Sequence, residues 1–298
     1  MKRLAFMGLG AMGAPMAKCL VSAGFDLTVF DVREENTRPL TDAGARGAGS
    51  PHEAAENAEA IILMVVNAEQ TEEALFGQGG AAEALVPGAA VVVMSTVGPG
   101  PIRHLDTRLS ERNLRLLDAP VSGGVARAER GDLLIMAGGP EDLFTTLRPV
   151  LEAMGSTVVH CGGSAGDGQS VKLVNQLLCG IHIAAAGEAL AYAEALGLDP
   201  ESVYETIRHG AAGSFMLEDR GRRMLDREFL PARSALDIFV KDMGLVRRAA
   251  AERGFATPLS DAAHELYEAG SSLGFGGEDD SGILRVFEEG MGPGKPTT

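Results

Sequence analysis

Residues 3–31 read RLAFMGLGAMGAPMAKCLVSAGFDLTVFD, and this stretch decides the fold. An apolar run, RLAF (3–6), leads into Gly8-Leu9-Gly10-Ala11-Met12-Gly13, and a helical stretch returns the chain to a second apolar run, LTVF (27–30). Three glycines placed this way have a mechanism. The first permits a tight turn, the second lets backbone approach a pyrophosphate, and the third packs helix on strand. The N-terminus of the following helix offers N–H groups to phosphate oxygens. Outside such a context GxGxxG is weak, because glycine-rich sequence produces it easily. Asp31 closes the second strand, where a carboxylate accepts hydrogen bonds from adenosine ribose hydroxyls and repels a 2′-phosphate. The expected cofactor is NAD, with NADP less favoured; Arg33 is the residue that would receive a 2′-phosphate.

The same strand–helix alternation continues outward. AIILMVV (60–66), AVVVM (90–94) and LRLLDA (114–119) are apolar runs of the kind found in parallel strands covered on both faces. LLIMAG (133–138) and TVVHC (157–161) extend the sheet. The expected class is α/β: an N-terminal Rossmann domain with a mostly parallel sheet over residues 1–162, then an all-α domain over 163–298. GGSAGDG is a turn cluster, and a long helix spans about Gln169 to Leu196, with Gly197 as its C-cap. Further helices are expected at about 200–209, 214–226, 233–252 and 259–269, with a frayed GPGKPTT end.

Composition narrows the function. A chain of 298 residues accommodates two domains, and 45% hydrophobic with 22% charged residues is ordinary for a globular protein. A formal net charge of −15 argues against a nucleic-acid partner, which needs a basic footprint. Cys19, Cys161 and Cys179 are too few and too scattered for a disulfide framework or a zinc site. No uninterrupted apolar run reaches membrane-spanning length, so no membrane partner is expected. The start, MKRLAFMGLGAMG, mimics a signal peptide, but its glycines read better as strand and turn; the expected location is cytoplasmic.

Ligands of open α/β sheets gather at the carboxyl ends of the strands, which points to three loops: Val66-Asn67-Ala68, Ser95-Thr96-Val97 and Ala119-Pro120-Val121-Ser122-Gly123-Gly124. Ser122, Gly123 and Gly124 present a hydroxyl and closely spaced N–H groups suited to a small carboxylate, unless they are only a capped turn. In the long helix Lys172, Asn175, Gln176 and Cys179 share one face, which turns apolar at Ile183 and Ala186. A solvated stripe would continue with charge; a short polar patch resembles the wall of a small site. In a cleft, desolvation and a neighbouring cationic nicotinamide would let Lys172 act as a base, the alternative being a surface lysine. Asp279-Asp280-Ser281 reads as a helix cap rather than a metal site, and no metal is expected.

Four ordered motifs resemble the β-hydroxyacid dehydrogenases, the family that contains 3-hydroxyisobutyrate dehydrogenase and tartronate semialdehyde reductase. They are Met7 through Met16, Asp118 through Gly124, the glycine-flanked helix with Lys172 and Asn175, and Lys241-Asp242. The resemblance covers nearly the whole chain. It implies Lys172 as general acid/base, and Ser122, Gly123, Gly124 and Asn175 holding substrate with Gln176 beside them. It further implies Val66, Asn67 and Thr96 with the cofactor, Thr96 near the nicotinamide ribose, Lys241 near the cofactor and closing the site, and a homodimer or homotetramer. Many members carry two asparagines after the lysine, whereas here the second is Gln176. That feature, with Ser234 through Asp242 and Gly274-Phe275-Gly276 followed by Glu278-Asp279-Asp280-Ser281, resembles the L-threonate dehydrogenase branch, which oxidises a four-carbon sugar acid. The alternatives are 3-hydroxyisobutyrate dehydrogenase and a tartronate or succinic semialdehyde (glyoxylate) reductase. Cys179 stands where 6-phosphogluconate dehydrogenases carry a glutamate, and Lys172 where imine reductases carry Asp or Tyr. A catalytically inactive cofactor-binding module is the rival from another class; loss of the lysine would mark it.

Overall fold

The computed structural model describes residues 2–289. It divides into two compact units between Lys172 and Leu173, whereas the sequence reading places the domain boundary at the turn cluster after Gly162. The difference arises because the first turns of the long helix are bonded to the sheet unit.

That unit is built on one sheet: β1 (Arg3–Met7), β2 (Asp26–Phe30), β3 (Arg46–Gly47), β4 (Ala60–Leu63), β5 (Ala90–Val93), β6 (Arg115–Asp118), β7 (Val121–Ser122), β8 (Leu134–Gly138) and β9 (Thr157–Gly162). The order is β3-β2-β1-β4-β5-β6-β8-β7, with β9 paired to β8. The first six strands are parallel, β8 runs antiparallel to β6 and β7, and β9 is parallel to β8. The mostly parallel sheet and helical C-terminal part match the expected class. Strand order reverses between β1 and β4, the switch point where open sheets of this kind bind ligands.

Both faces of the sheet are buried, and the strand period of two sorts the residues. Leu4, Phe6, Val29, Ile62, Val92 and Leu117 pack with Met16 and Leu20 of the helix Gly13–Ser22 and with Leu147 and Leu151 of the helix Glu141–Glu152. Ala5, Met7, Ile61, Leu63, Val91 and Val93 pack on the other side with Leu75 of the helix Ala68–Phe76 and with Ile102, Leu105 and Leu109 of the helix Pro99–Ser110.

β4 ends three residues before the apolar run does. Val65 N–H donates to the Ser95 hydroxyl at 2.8 Å instead of to a strand, and Val66 stands exposed. β3 and β7 have no counterpart in the sequence reading, because two residues leave no periodicity to detect.

The long helix runs Asp167–Ala195. Its start is fixed by Asp118, at the end of β6 and fully buried: one carboxylate oxygen accepts from Gly166 N and the other from Gln169 N, each at 2.7 Å. Its end is fixed by Gly197, at φ 74°, whose N–H donates to Glu194 O while Leu198 N–H donates to Ala193 O. By length and composition this helix is apolar enough to cross a membrane, although Lys172, Asn175, Gln176 and glycines divide it so that no uninterrupted apolar run of that length occurs in it. In the most apolar window 44% is buried inside the protein.

The second unit is helical: the remainder of the long helix, then Pro200–Ile207, Phe215–Asp226, Leu236–Ala251, Pro258–Gly270 and Leu284–Glu288. Ile183, Leu190, Met224, Leu236, Met243 and Tyr267 form its core. The Tyr267 ring stacks on Phe239 at 5.2 Å, and its hydroxyl donates to Gly180 O at 2.9 Å. The helix expected from residue 233 begins at Leu236, because the N–H groups of Arg233 and Ser234 donate to the Asp279 carboxylate and Leu236 N–H donates to Glu278 O. Asp279 also caps the turn Asp280–Ile283, and the two buried acids face Arg223 and Arg220. The GPGKPTT end lies outside the described residues.

Asp118 yields a stability prediction. Burial raises its carboxyl to about 6, against the opposing pull of the two N–H donors, and the nearby charge of Asp167 adds to the rise. A raised folded-state pKa means that the folded protein holds this proton more tightly than the unfolded chain. The associated stability is present in full below the ordinary carboxylate range and is lost as pH rises through about 6. Its size is on the order of 3 kcal/mol for a shift of this magnitude. In urea titrations from pH 4 to 7, Asp118→Asn should be less stable than the parent through the mismatched N–H contact. The gap between them should narrow as pH rises.

Candidate functional site

Phe30, Met7, Leu63, Val93 and Asp118 stand in register across five parallel strands and mark their carboxyl ends. The glycine loop, Asp31, Val66, Asn67, Thr96 and Ser122 through Gly124 all follow this row within a few residues. The first unit therefore gathers these expected residues at one edge of the sheet, beyond the switch point.

Gly8 sits at φ 90° with Met64 carbonyl so close that a Cβ would collide with it. A Cβ on Gly13 would strike the Gly8 carbonyl and come within 3.2 Å of the Phe6 ring. Gly10, by contrast, meets nothing within 4 Å, so the loop is tight against the protein at its two ends and open at its middle. The helix Gly13–Ser22 starts at Met12 with no side-chain cap and no acid in its first turn, leaving an uncharged N-terminus able to receive a pyrophosphate. Leu9 and Ala11 are the remaining residues of the loop. Asp31 is half-buried: Oδ2 accepts from Leu9 N at 2.6 Å, and Oδ1 accepts from Arg33 N at 2.8 Å and Asn36 Nδ2 at 3.1 Å. The acid that would meet a ribose thus also ties the glycine loop to the second strand. These features fit a dinucleotide.

Asn67 caps the helix Ala68–Phe76, accepting from Gln70 N at 2.9 Å, while Val66 N–H donates to Gln70 Oε1 at 3.0 Å. Thr96 is half-buried in a loop held by Gln169. The Gln169 amide donates to Ser95 O at 2.9 Å and accepts from Val97 N and Gly98 N, both at 3.0 Å. Ser122 pairs with Leu134 across β7 and β8, and Gly123 and Gly124 follow at φ 138° and 71°. Open space flanks Gly124.

Lys172 is the last residue of the first unit and only 6% exposed. The start of the long helix is inside out. Gln169, Lys172 and Gln176 are buried on one face, while Val171, Val174 and Leu178 are exposed on the other. The surface-lysine reading is excluded by this burial, because exposed apolar side chains occupy the positions a solvated stripe would take.

In the second unit Asn175, Gln176 and Lys241 come together through Asp242. Asn175 Nδ2 donates to Gln176 Oε1 at 2.9 Å and to Cys179 Sγ at 3.4 Å. Gln176 Nε2 donates to Asp242 Oδ2 at 2.5 Å. Lys241 Nζ lies 3.1 Å from Asp242 Oδ1, an ion pair outside hydrogen-bond directionality. Both polar ends of Gln176, expected beside the substrate, carry a hydrogen bond within the protein.

Two supports escaped the sequence reading. Gln169 lies one turn before Lys172 on the same helical face, and that shared face was the available signal. Asp118 was visible only as a letter of a motif; its two backbone partners lie across a turn cluster that no local pattern connects to it. Among the described residues no group of three or more His, Cys, Asp or Glu could hold a metal ion.

Known proteins match along almost the entire chain. Residues 3–163 match the NAD binding domain of 6-phosphogluconate dehydrogenase, and residues 166–287 match a domain described as NAD-binding of NADP-dependent 3-hydroxyisobutyrate dehydrogenase. L-threonate dehydrogenase of Cupriavidus necator is 43% identical over 294 residues, covering 99% of both chains. The Escherichia coli L-threonate dehydrogenase is 39% identical over 282 residues, 94% of this chain and 93% of that one. A crystal structure of 3-hydroxyisobutyrate dehydrogenase from Salmonella typhimurium superposes with a TM-score of 0.90 at 38% identity, covering 96% of this chain and 100% of the other. With its NAD-binding fold, its ordered motifs and relatives of this closeness, the chain belongs to the β-hydroxyacid dehydrogenase family.

Proposed function

We propose that the protein oxidises a four-carbon sugar acid of the L-threonate type with NAD, and that Lys172 carries the proton. The observation that supports this most is the burial of Lys172 on the inverted face of the long helix, in a chain whose relatives over nearly full length include L-threonate dehydrogenases. Bound NAD supplies the hydride acceptor. The chain's own residues do the rest. The Lys172 amine takes the proton of the substrate hydroxyl during oxidation, and its ammonium returns a proton to the developing alkoxide in reduction. The Ser122 hydroxyl and the N–H groups at Gly123 and Gly124 hold the substrate carboxylate, and Asn175 orients the substrate. Gly8 through Gly13, Asp31, Val66, Asn67 and Thr96 bind the cofactor, and Lys241 closes over it. Gln169 holds the Thr96 loop on the helix that carries Lys172. The Salmonella structure keeps 3-hydroxyisobutyrate as the second substrate to test.

The long helix also suggests how the chain assembles. Val174, Leu178, Ala185, Tyr192 and Leu196 lie on one exposed face, a nearly charge-free stripe at helical spacing. A second copy of the chain, giving a dimer or tetramer, is the occupant proposed for it.

Three outcomes are expected. Lys172→Ala should lose at least about 1,000-fold in kcat with L-threonate, while NAD binding by calorimetry stays within a few-fold of the parent. Unchanged turnover would remove the lysine from the mechanism. Asp31→Ala should shift the ratio of KM values for NAD and NADP towards NADP by roughly ten-fold or more, the size expected for a charged hydrogen-bonding partner. Val174→Asp with Leu178→Asp should lower the mass measured by sedimentation; an unchanged mass would place the interface elsewhere.

A further inference from the structure

The polar groups beside Asn175 form a chain with a fixed direction. Asp242 is 2% exposed, and a carboxylate paired with Lys241 only accepts hydrogen bonds. Gln176, 2.5 Å away, must therefore turn its amide nitrogen to Asp242. Its carbonyl oxygen is thereby turned to Asn175, which must present its own nitrogen, at 2.9 Å. That same nitrogen lies 3.4 Å from Cys179 Sγ, so both N–H bonds of Asn175 are committed within the protein. What Asn175 offers a bound molecule is its carbonyl oxygen.

An acceptor in that position cannot serve the hydroxyl that is oxidised. That oxygen gives its proton to Lys172 and becomes a carbonyl, which an amide oxygen repels. A different donor on the substrate keeps its proton in both states. We infer that Asn175 reads a second hydroxyl beside the reacting one, that the site is thereby built for polyhydroxylated acids, and that Gln176 is the positioning residue that sets this polarity. The inference rests on the assignment of Asn175 to the substrate under the proposed function.

Matched acids test it. Glycerate is compared with lactate and 3-hydroxypropanoate, and L-threonate with 2- and 3-hydroxybutyrate. The parent should show kcat/KM at least about 100-fold higher for glycerate and L-threonate than for the monohydroxy acids, as expected where a buried polar group is left unpaired by the wrong substrate. Gln176→Met removes the directing amide without changing length, lets Asn175 rotate, and should shrink that ratio about 10-fold. Asn175→Asp in the Gln176→Met background places an obligatory acceptor there and should restore the ratio, a rescue that general destabilisation would not give. Thermal melting of each variant with and without NAD confirms that the fold and cofactor site persist. A parent ratio near one overturns this inference alone. No turnover of any acid with NAD or NADP overturns the dehydrogenase reading and the inference together.

Discussion

The first unit depends on one carboxylate. Asp118 accepts two backbone N–H groups at the start of the long helix, in a place fully closed to water. Backbone donors at a helix start have no partner within the helix, and a buried one left unpaired costs about 1–3 kcal/mol. A charged acceptor satisfies two of them, but its own burial is unfavourable enough to raise its proton affinity. The arrangement is a compromise: helix position is secured by a group that would rather be solvated. Because the helix is secured there, Lys172 has a defined place relative to β6 and the Ser122 loop in the same unit.

The inverted face of the long helix links stability to chemistry. Burying a lysine and two glutamines while exposing valine and leucine is the opposite of what a solitary amphipathic helix does. It is tolerable where each buried polar group has partners, as Gln169 has in the Ser95–Gly98 loop and Gln176 has in Asn175 and Asp242. In the second unit the same logic pairs Asp279 and Asp280 with Arg223 and Arg220, so the acidic cluster is engaged by arginines.

Much of this was legible in the sequence for identifiable reasons. Strands β1, β4, β5, β6 and β8 are apolar runs because the sheet is covered on both faces there, β2 and β9 are apolar enough to read although partly exposed, and Gly197 announces the end of the long helix. The glycine loop was readable because Gly8 and Gly13 meet distinct steric demands at its two ends and Gly10 leaves its middle open. β3 and β7 were not, being too short for any period. Val66 looked like strand by composition, yet Ser95 diverts the backbone one residue earlier. The polar face containing Lys172 could be drawn on a helical wheel, but its burial depends on contacts made far along the chain. Gln176 illustrates the limit: its identity was plain, while its partner Asp242 lies in another helix.

Gln169 carries a mechanical consequence. One side chain bonds three backbone groups of the Ser95–Gly98 loop, and its own backbone is fixed by Asp118. One side chain thus joins the loop to the start of the helix. Thr96 lies between the bonded backbone groups, and Lys172 follows Gln169 by one helical turn. On the roles proposed for Thr96 and Lys172, a substitution at Gln169 acts on cofactor placement and proton delivery together.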